Sequence, residues 1–134
     1  MDRRKNRQKG FTLIEIIAVL IILGILAAVA VPKFMGLQEE AKKKAAQSLV
    51  GAAQSQLSMG YSKQLLENDG DTNATWQNLN ANDLCSKVTK DGYEDYKLEC
   101  DKNGDKITIT VKDNSTGTEK ILANGTFTNP ASSS

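Results

Sequence analysis

The chain has 134 residues and a net charge of +1, from 17 basic and 16 acidic side chains. That is room for one modest domain and an accessory segment. It contains no histidine, the commonest general base and metal ligand, so zinc sites and Ser-His or Cys-His nucleophile systems are not expected. The charge is uneven. Arg3, Arg4, Lys5, Arg7 and Lys9 against Asp2 give residues 1–10 a net +4 and leave −3 for the remainder. No later stretch interleaves Lys and Arg with aromatic residues, so nucleic-acid binding is not predicted.

The first predicted element is a helix beginning at Phe11. From Phe11 to Val31 Glu15 is the only charged residue, and Thr12 is the only other side chain with a hydrogen-bonding group. About 20 such residues span the hydrocarbon core of a bilayer. The bases stand on the N-terminal flank, which places residues 1–10 in the cytoplasm and the remainder outside. Three readings fit this pattern. One is a signal peptide cut near Ala28-Val29-Ala30. Another is a plain single-pass anchor. The third is a short leader, ending at Gly10, that is removed and leaves the apolar helix in place. Glu15 separates them in part. A carboxylate deep in a membrane helix costs about 2.5–3.5 kcal/mol on insertion scales and is a functional-site hypothesis by default. Neither a disposable signal nor a plain anchor has a use for it.

The stretch Gly10-Phe11-Thr12-Leu13-Ile14-Glu15, followed by an apolar run that contains Gly24 and ends at Pro32, resembles the N-terminus of type IV prepilins and the related pseudopilins. Val31-Pro32-Lys33-Phe34-Met35-Gly36-Leu37-Gln38 is also similar to pilins of the mannose-sensitive haemagglutinin type. The specific similarity covers roughly residues 1–65. It implies that a membrane-embedded prepilin peptidase cuts between Gly10 and Phe11 and methylates the new amine of Phe11. It further implies a helical homopolymer of identical subunits, built by an assembly ATPase, a membrane platform and an outer-membrane pore. The subunit waits in the inner membrane, with its head in the periplasm, and ends in an extracellular filament.

The resemblance also gives Glu15 a role. Cleavage creates an ammonium at Phe11, and in a low-dielectric filament core a matched pair offsets much of what either charge costs alone. Glu15 is therefore expected to pair with the Phe11 amine of an adjacent subunit and to set the axial register. Gly24 and Pro32 are expected to make their segment pliable. Proline removes a backbone donor, and glycine lowers helix propensity by about 1 kcal/mol relative to alanine. In the family this segment is often melted in the filament. Gly24 with Ala28 equally fits a small-residue packing face.

Beyond Pro32 the pattern becomes periodic. Leu37, Ala41, Ala45, Leu49, Ala53, Leu57, Tyr61 and Leu65 form a stripe, with Phe34 and Val50 correcting its drift. Glu39/Lys43 and Glu40/Lys44 are candidate i,i+4 ion pairs. Lys42-Lys43-Lys44 reads as a solvated face, and Asn68-Asp69-Gly70 as the stop signal. Residues from Asn68 to Asp83 read mostly as loop, anchored by Trp76, Leu79 and Leu84.

Three strand-like runs follow, at Tyr96–Cys100, Lys106–Val111 and Glu119–Ala123, with a fourth if Thr126–Thr128 forms one. Asn103-Gly104 and Asn114–Gly117 mark the turns. The tail from Asn129 reads as a frayed end. Cys85 and Cys100 are the only thiols. They form one disulfide if the head is outside the cytoplasm, and otherwise two buried thiols. Asp101-x-Asn103-x-Asp105 and Asp69-x-Asp71-x-Asn73 open like calcium loops but lack the glycine and acid that complete them.

The expected fold is α+β: a long N-terminal helix packed on a small antiparallel meander of three or four strands, the pilin fold. The expected divisions are a leader (1–10), a membrane and assembly helix (11–32), its amphipathic continuation (33–68) and a head (69–134). The expected function is structural, a type IV pilus subunit serving adhesion, motility or DNA uptake, with no catalytic residue, metal or cofactor. The alternatives are a pseudopilin of type II secretion and a membrane-anchored periplasmic binding or sensor domain.

Overall fold

The structure is a computed structural model, described here for residues 10–89, 93–115 and 117–133. The chain divides into two units, Met1–Glu39 and Glu40–Ser134. Helix α1, Leu13–Glu67, begins in the first and continues in the second.

In the first unit α1 starts from a reciprocal cap. The Thr12 N–H donates to Glu15 Oε2 at 2.8 Å, and the Glu15 N–H donates to Thr12 Oγ1 at 3.3 Å. This is a capping box, which satisfies two of the donors that a helix N-terminus leaves over. The helix then passes through Gly24 and Pro32 without a break. Every residue from Gly10 to Glu39 is exposed, with Phe11 at 84%. This stretch of α1 is long and apolar enough to cross a membrane.

In the second unit α1 lays its inner stripe on a sheet. Ala46, Leu49, Val50, Ala53, Leu57 and Tyr61 are buried. Leu37 and Ala41, which the four-residue spacing assigns to the stripe, are exposed, so burial begins a turn later than the pattern implies. The helix stops where expected. Asp69 and Gly70 take positive φ, and the Gly70 N–H returns to the Leu65 carbonyl at 2.9 Å, a Schellman-type closure.

Two short helices follow where a loop is expected: α2, Thr72–Asn78, and α3, Ala81–Ser86. Their caps explain the density of Asn and Asp. Asp71 accepts from the N–H groups of Asn73 and Ala74, and Asn80 accepts from that of Asp83. Trp76 and Leu79 are buried as predicted, while Leu84 is half-buried.

The sheet is a three-stranded antiparallel meander in the order β1 (Tyr96–Asn103), β2 (Lys106–Asp113), β3 (Lys120–Thr128). The optional fourth strand is the second half of β3. Asn103 pairs with Lys106, so the first turn is centred on Gly104-Asp105, one residue beyond the expected pair, with Gly104 at φ +59°. Alternation in β2 puts Ile107, Ile109 and Val111 in the core and Lys106 and Thr108 outside. Between Val111 and Lys112 the register with β3 shifts, leaving Leu122 as a bulged extra residue.

The tail is not frayed. Asn129 is buried, and its N–H donates to the Asp105 carbonyl at 2.8 Å. A short 3-10 turn, Pro130–Ser133, closes on it. An isolated Asn-Pro gives little sequence signal because the partner, Asp105, lies in a distant hairpin.

Candidate processing and assembly site

The predicted processing residues lie together at the start of α1. Gly10 and Phe11 are exposed and precede the first helical turn, as a cut between them requires. Glu15 sits one turn further on and faces back, its carboxylate held by the Thr12 N–H. Within a single chain this carboxylate therefore already has a hydrogen-bond donor. The Thr12-x-x-Glu15 spacing before an apolar run is the sequence signature of such a box. The arrangement can present an anion at the end of an apolar helix without fraying that helix.

The second group of polar contacts belongs to the head. Lys42 is not part of a solvated lysine face. Its ammonium donates to Asp113 Oδ2 and to Ser115 Oγ, both at 2.9 Å. Asp113 is buried. Its other oxygen accepts from the Ser115 hydroxyl and, at 2.9 Å, from the Ser115 N–H. Those two donors and Lys42 hold the Asp113 carboxyl down at about 2. The Asp113 hydrogen bond raises the Lys42 ammonium above its ordinary range. The expected pair Glu40/Lys44 is not joined by an ion pair.

On the outer face of the sheet, Lys97 and Lys112 stand directly opposite across β1 and β2. Like charges so placed repel, and two acids relieve them. Glu99 takes Lys112 at 2.7 Å and Lys97 at 3.0 Å, and Glu119 takes Lys97 at 2.8 Å and Lys112 at 3.0 Å. Hydrogen bonds from Lys97 and then Lys112 lower Glu119 to about 2. Cys85 and Cys100 form the predicted disulfide, which joins α3 to β1.

A model of the prokaryotic N-terminal methylation motif matches residues 5–31. This N-terminal segment carries the prokaryotic methylation motif. Gly10, Phe11, Glu15 and Gly24 fall inside the matched segment, and Pro32 lies one residue past it. It is 51% identical over 55 residues to a type II secretion system core protein G of Dickeya chrysanthemi, covering 41% of this chain and 36% of that one. It is 44% identical over 57 residues to the core protein G of Escherichia coli strain K12, covering 42% and 39%. It is 45% identical over 49 residues to the type IV narrow pilus major component PilA5 of Thermus thermophilus, covering 37% and 42%. The chain thus matches under half the length of these relatives. No solved structure matches. The names of these relatives place them in secretion and pilus systems.

Proposed function

We propose that this protein is a filament subunit made as a precursor, cut after Gly10, methylated at Phe11 and polymerised through α1. Residues 1–10 are the leader. Residues 11–32 hold the subunit in the inner membrane, with the leader cytoplasmic and the head periplasmic. Residues 33–68 continue the helix, and residues 69–134 complete the head. In the polymer, neighbouring helices replace lipid around the exposed apolar surface of α1. Glu15 then meets the Phe11 amine of another copy. The Gly24–Pro32 segment yields where packing demands it.

The observation that carries this reading is the methylation motif itself, Gly10-Phe11 with Glu15, at the head of the exposed apolar stretch of α1. Peptidase, platform and ATPase follow as partners from the same motif.

Between the two kinds of filament, the type II pseudopilus stands first, which reverses the order expected from the sequence alone. The 51% and 44% identities to core protein G over 55 and 57 residues support it. The type IV pilus remains the second reading, supported by the 45% identity to a narrow pilus major component over 49 residues.

The deciding experiment is N-terminal sequencing and mass measurement of the mature protein. A start at methylated Phe11 is the expected result. An intact Met1, or a start near Val31, overturns the proposal. Extracellular filaments with this chain as main component would select the pilus, and their absence from secretion-competent cells the pseudopilus.

A further inference from the structure

The sequence contains two Asn-Gly dipeptides, Asn103-Gly104 and Asn124-Gly125. Such a dipeptide carries a reaction of its own. The glycine backbone nitrogen loses its proton and attacks the carbonyl carbon of the asparagine side chain. A new C–N bond closes a succinimide ring, and the side-chain nitrogen leaves as ammonia. Water then opens the ring at either carbonyl, giving aspartate or isoaspartate. No other reactant is needed. Glycine eases the approach because it has no Cβ. The fold decides the rest: whether the glycine nitrogen is free, and whether its peptide can rotate.

Both asparagines are exposed, so exposure does not separate them. Their glycines do. Gly125 stands inside β3, paired with Ile109 and packed under Val50. Turning its peptide requires β3 to part from β2 and from α1. Gly104 is the first central residue of the two-residue turn between Asn103 and Lys106, with φ +59°. The central N–H groups of such a turn lie outside the ladder. Only the Asn103–Lys106 pair has to open, and a strand end opens at far less cost than a strand interior. An open cleft of about 350 Å³ beside the turn, lined by Trp76, Gln77, Lys102, Gly104 and Asp105, gives the peptide room to move. The turn is also a junction. The Gly104 carbonyl accepts from Trp76 Nε1 at 2.9 Å, and the Asp105 carbonyl accepts from the Asn129 N–H at 2.8 Å.

We propose that Asn103 is a self-modifying site: in the folded head it converts to aspartate and isoaspartate while Asn124 persists, and the isoaspartate form frees Trp76 from the Gly104 carbonyl. Isoaspartate routes the main chain through the side-chain methylene. One carbon is thereby added to the end of β1, directly before Gly104. The turn then cannot keep both its ladder pairing and the Gly104 carbonyl at the place Trp76 requires. Trp76 is buried among core residues, and a buried N–H that loses its acceptor weakens the fold. The site belongs to the head alone and does not depend on the filament reading.

The test is to age the full chain in detergent micelles in mildly alkaline buffer. Peptide mapping by mass spectrometry, with enzymatic methylation of isoaspartate, then locates the products. Conversion at Asn103 should run about tenfold or more ahead of Asn124, because the second site reacts only when the sheet opens. In urea the two sites should react alike. Trp76 is the only tryptophan, so its fluorescence reports the turn directly. Its emission should shift to the red in step with isoaspartate at position 103. Asn103→Ser, which keeps the exposed strand end and lacks the side-chain amide, should age without that shift. Equal rates at the two sites in the folded chain, or no product at Asn103, overturn the proposal. Product at Asn103 with unchanged Trp76 emission overturns the release of Trp76.

Discussion

Gly125 lies directly beneath Val50, so close that a Cβ on the glycine would stand 2.2 Å from Val50 Cγ1. Gly125 pairs with Ile109 in the sheet, and beside it Gln54 Nε2 donates to the Thr126 carbonyl at 3.0 Å. The missing side chain is what lets α1 approach the meander. Gly125→Ala should therefore force the helix or the β-branched, stiff Val50 to move, costing about 1–3 kcal/mol. Gly60→Ala makes a control. Its Cβ would meet Leu84 Cδ1 at 2.4 Å, but Leu84 is half-buried and its end can swing aside. Alanine also favours a helix by about 1 kcal/mol over glycine. Urea denaturation of the two variants should show a clear loss for Gly125→Ala and little change for Gly60→Ala. Equal losses would mean that close approach at β3 is not special.

Acid should weaken the head in a defined window. Asp113 has a folded value of about 2 against an ordinary 3.8. A carboxyl depressed on folding contributes stability that is complete above its unfolded value and is lost as pH falls through the folded one. Stability should thus decline from about pH 4 towards pH 2. In Asp113→Asn the decline should be shallower and the starting stability lower. Glu119, also at about 2, titrates in the same range, but its side chain is 47% exposed. Salt screens such an exposed pair. Melting curves over this pH range at high salt should retain the Asp113 component and lose most of the Glu119 one.

The Cys85–Cys100 bond closes a separation of 15 residues. The chain-entropy account assigns such a closure about 3 kcal/mol. Both cysteines are buried, so reductant should act only once the head opens. Cys85→Ser/Cys100→Ser, or reduction in mild denaturant, should lower the urea midpoint accordingly. Alkylation without reduction should label neither thiol; labelling of both in protein secreted to an oxidising compartment would contradict the structure.

How much of this was legible in the sequence follows from the range of each interaction. The inner stripe of α1, the alternation of β2 and the stop at Asn68-Asp69-Gly70 are local patterns, and each was readable. The limits of the stripe were not. Leu37 and Ala41 match its spacing but have nothing to pack on, because burial depends on where the sheet ends rather than on period. Helices α2 and α3 stand where the density of Asn and Asp reads as loop, because Asp71 and Asn80 act as caps. Lys42 looked like its two neighbours; only the position of Asp113, 71 residues on, distinguishes it. The anchoring of Asn129 by Asp105 was hidden for the same reason. At the candidate site the motif residues are legible locally, and so is Thr12 as the partner of Glu15, three residues away.

That partner sharpens the test of Glu15. The carboxylate has two candidate uses, as the cap of its own helix and as the counter-charge to a neighbouring Phe11 amine. The first needs a hydrogen-bond acceptor, the second a negative charge. Glu15→Gln supplies an acceptor without the charge, since glutamine at this place also completes a capping box. Glu15→Ala supplies neither, and losing the cap costs about 1 kcal/mol of helix stability. If the charge pairing governs assembly, both variants should be cut after Gly10 and both should fail to polymerise in cells that make no other copy of the subunit. If capping governs it, Glu15→Gln should assemble and Thr12→Ala should fail beside Glu15→Ala. We expect the first pattern, because unpaired charges inside an apolar filament are far more costly than a frayed first turn. Filament recovery by shearing or by overexpression of the assembly machinery, with immunoblotting for the cut and uncut forms, distinguishes the two.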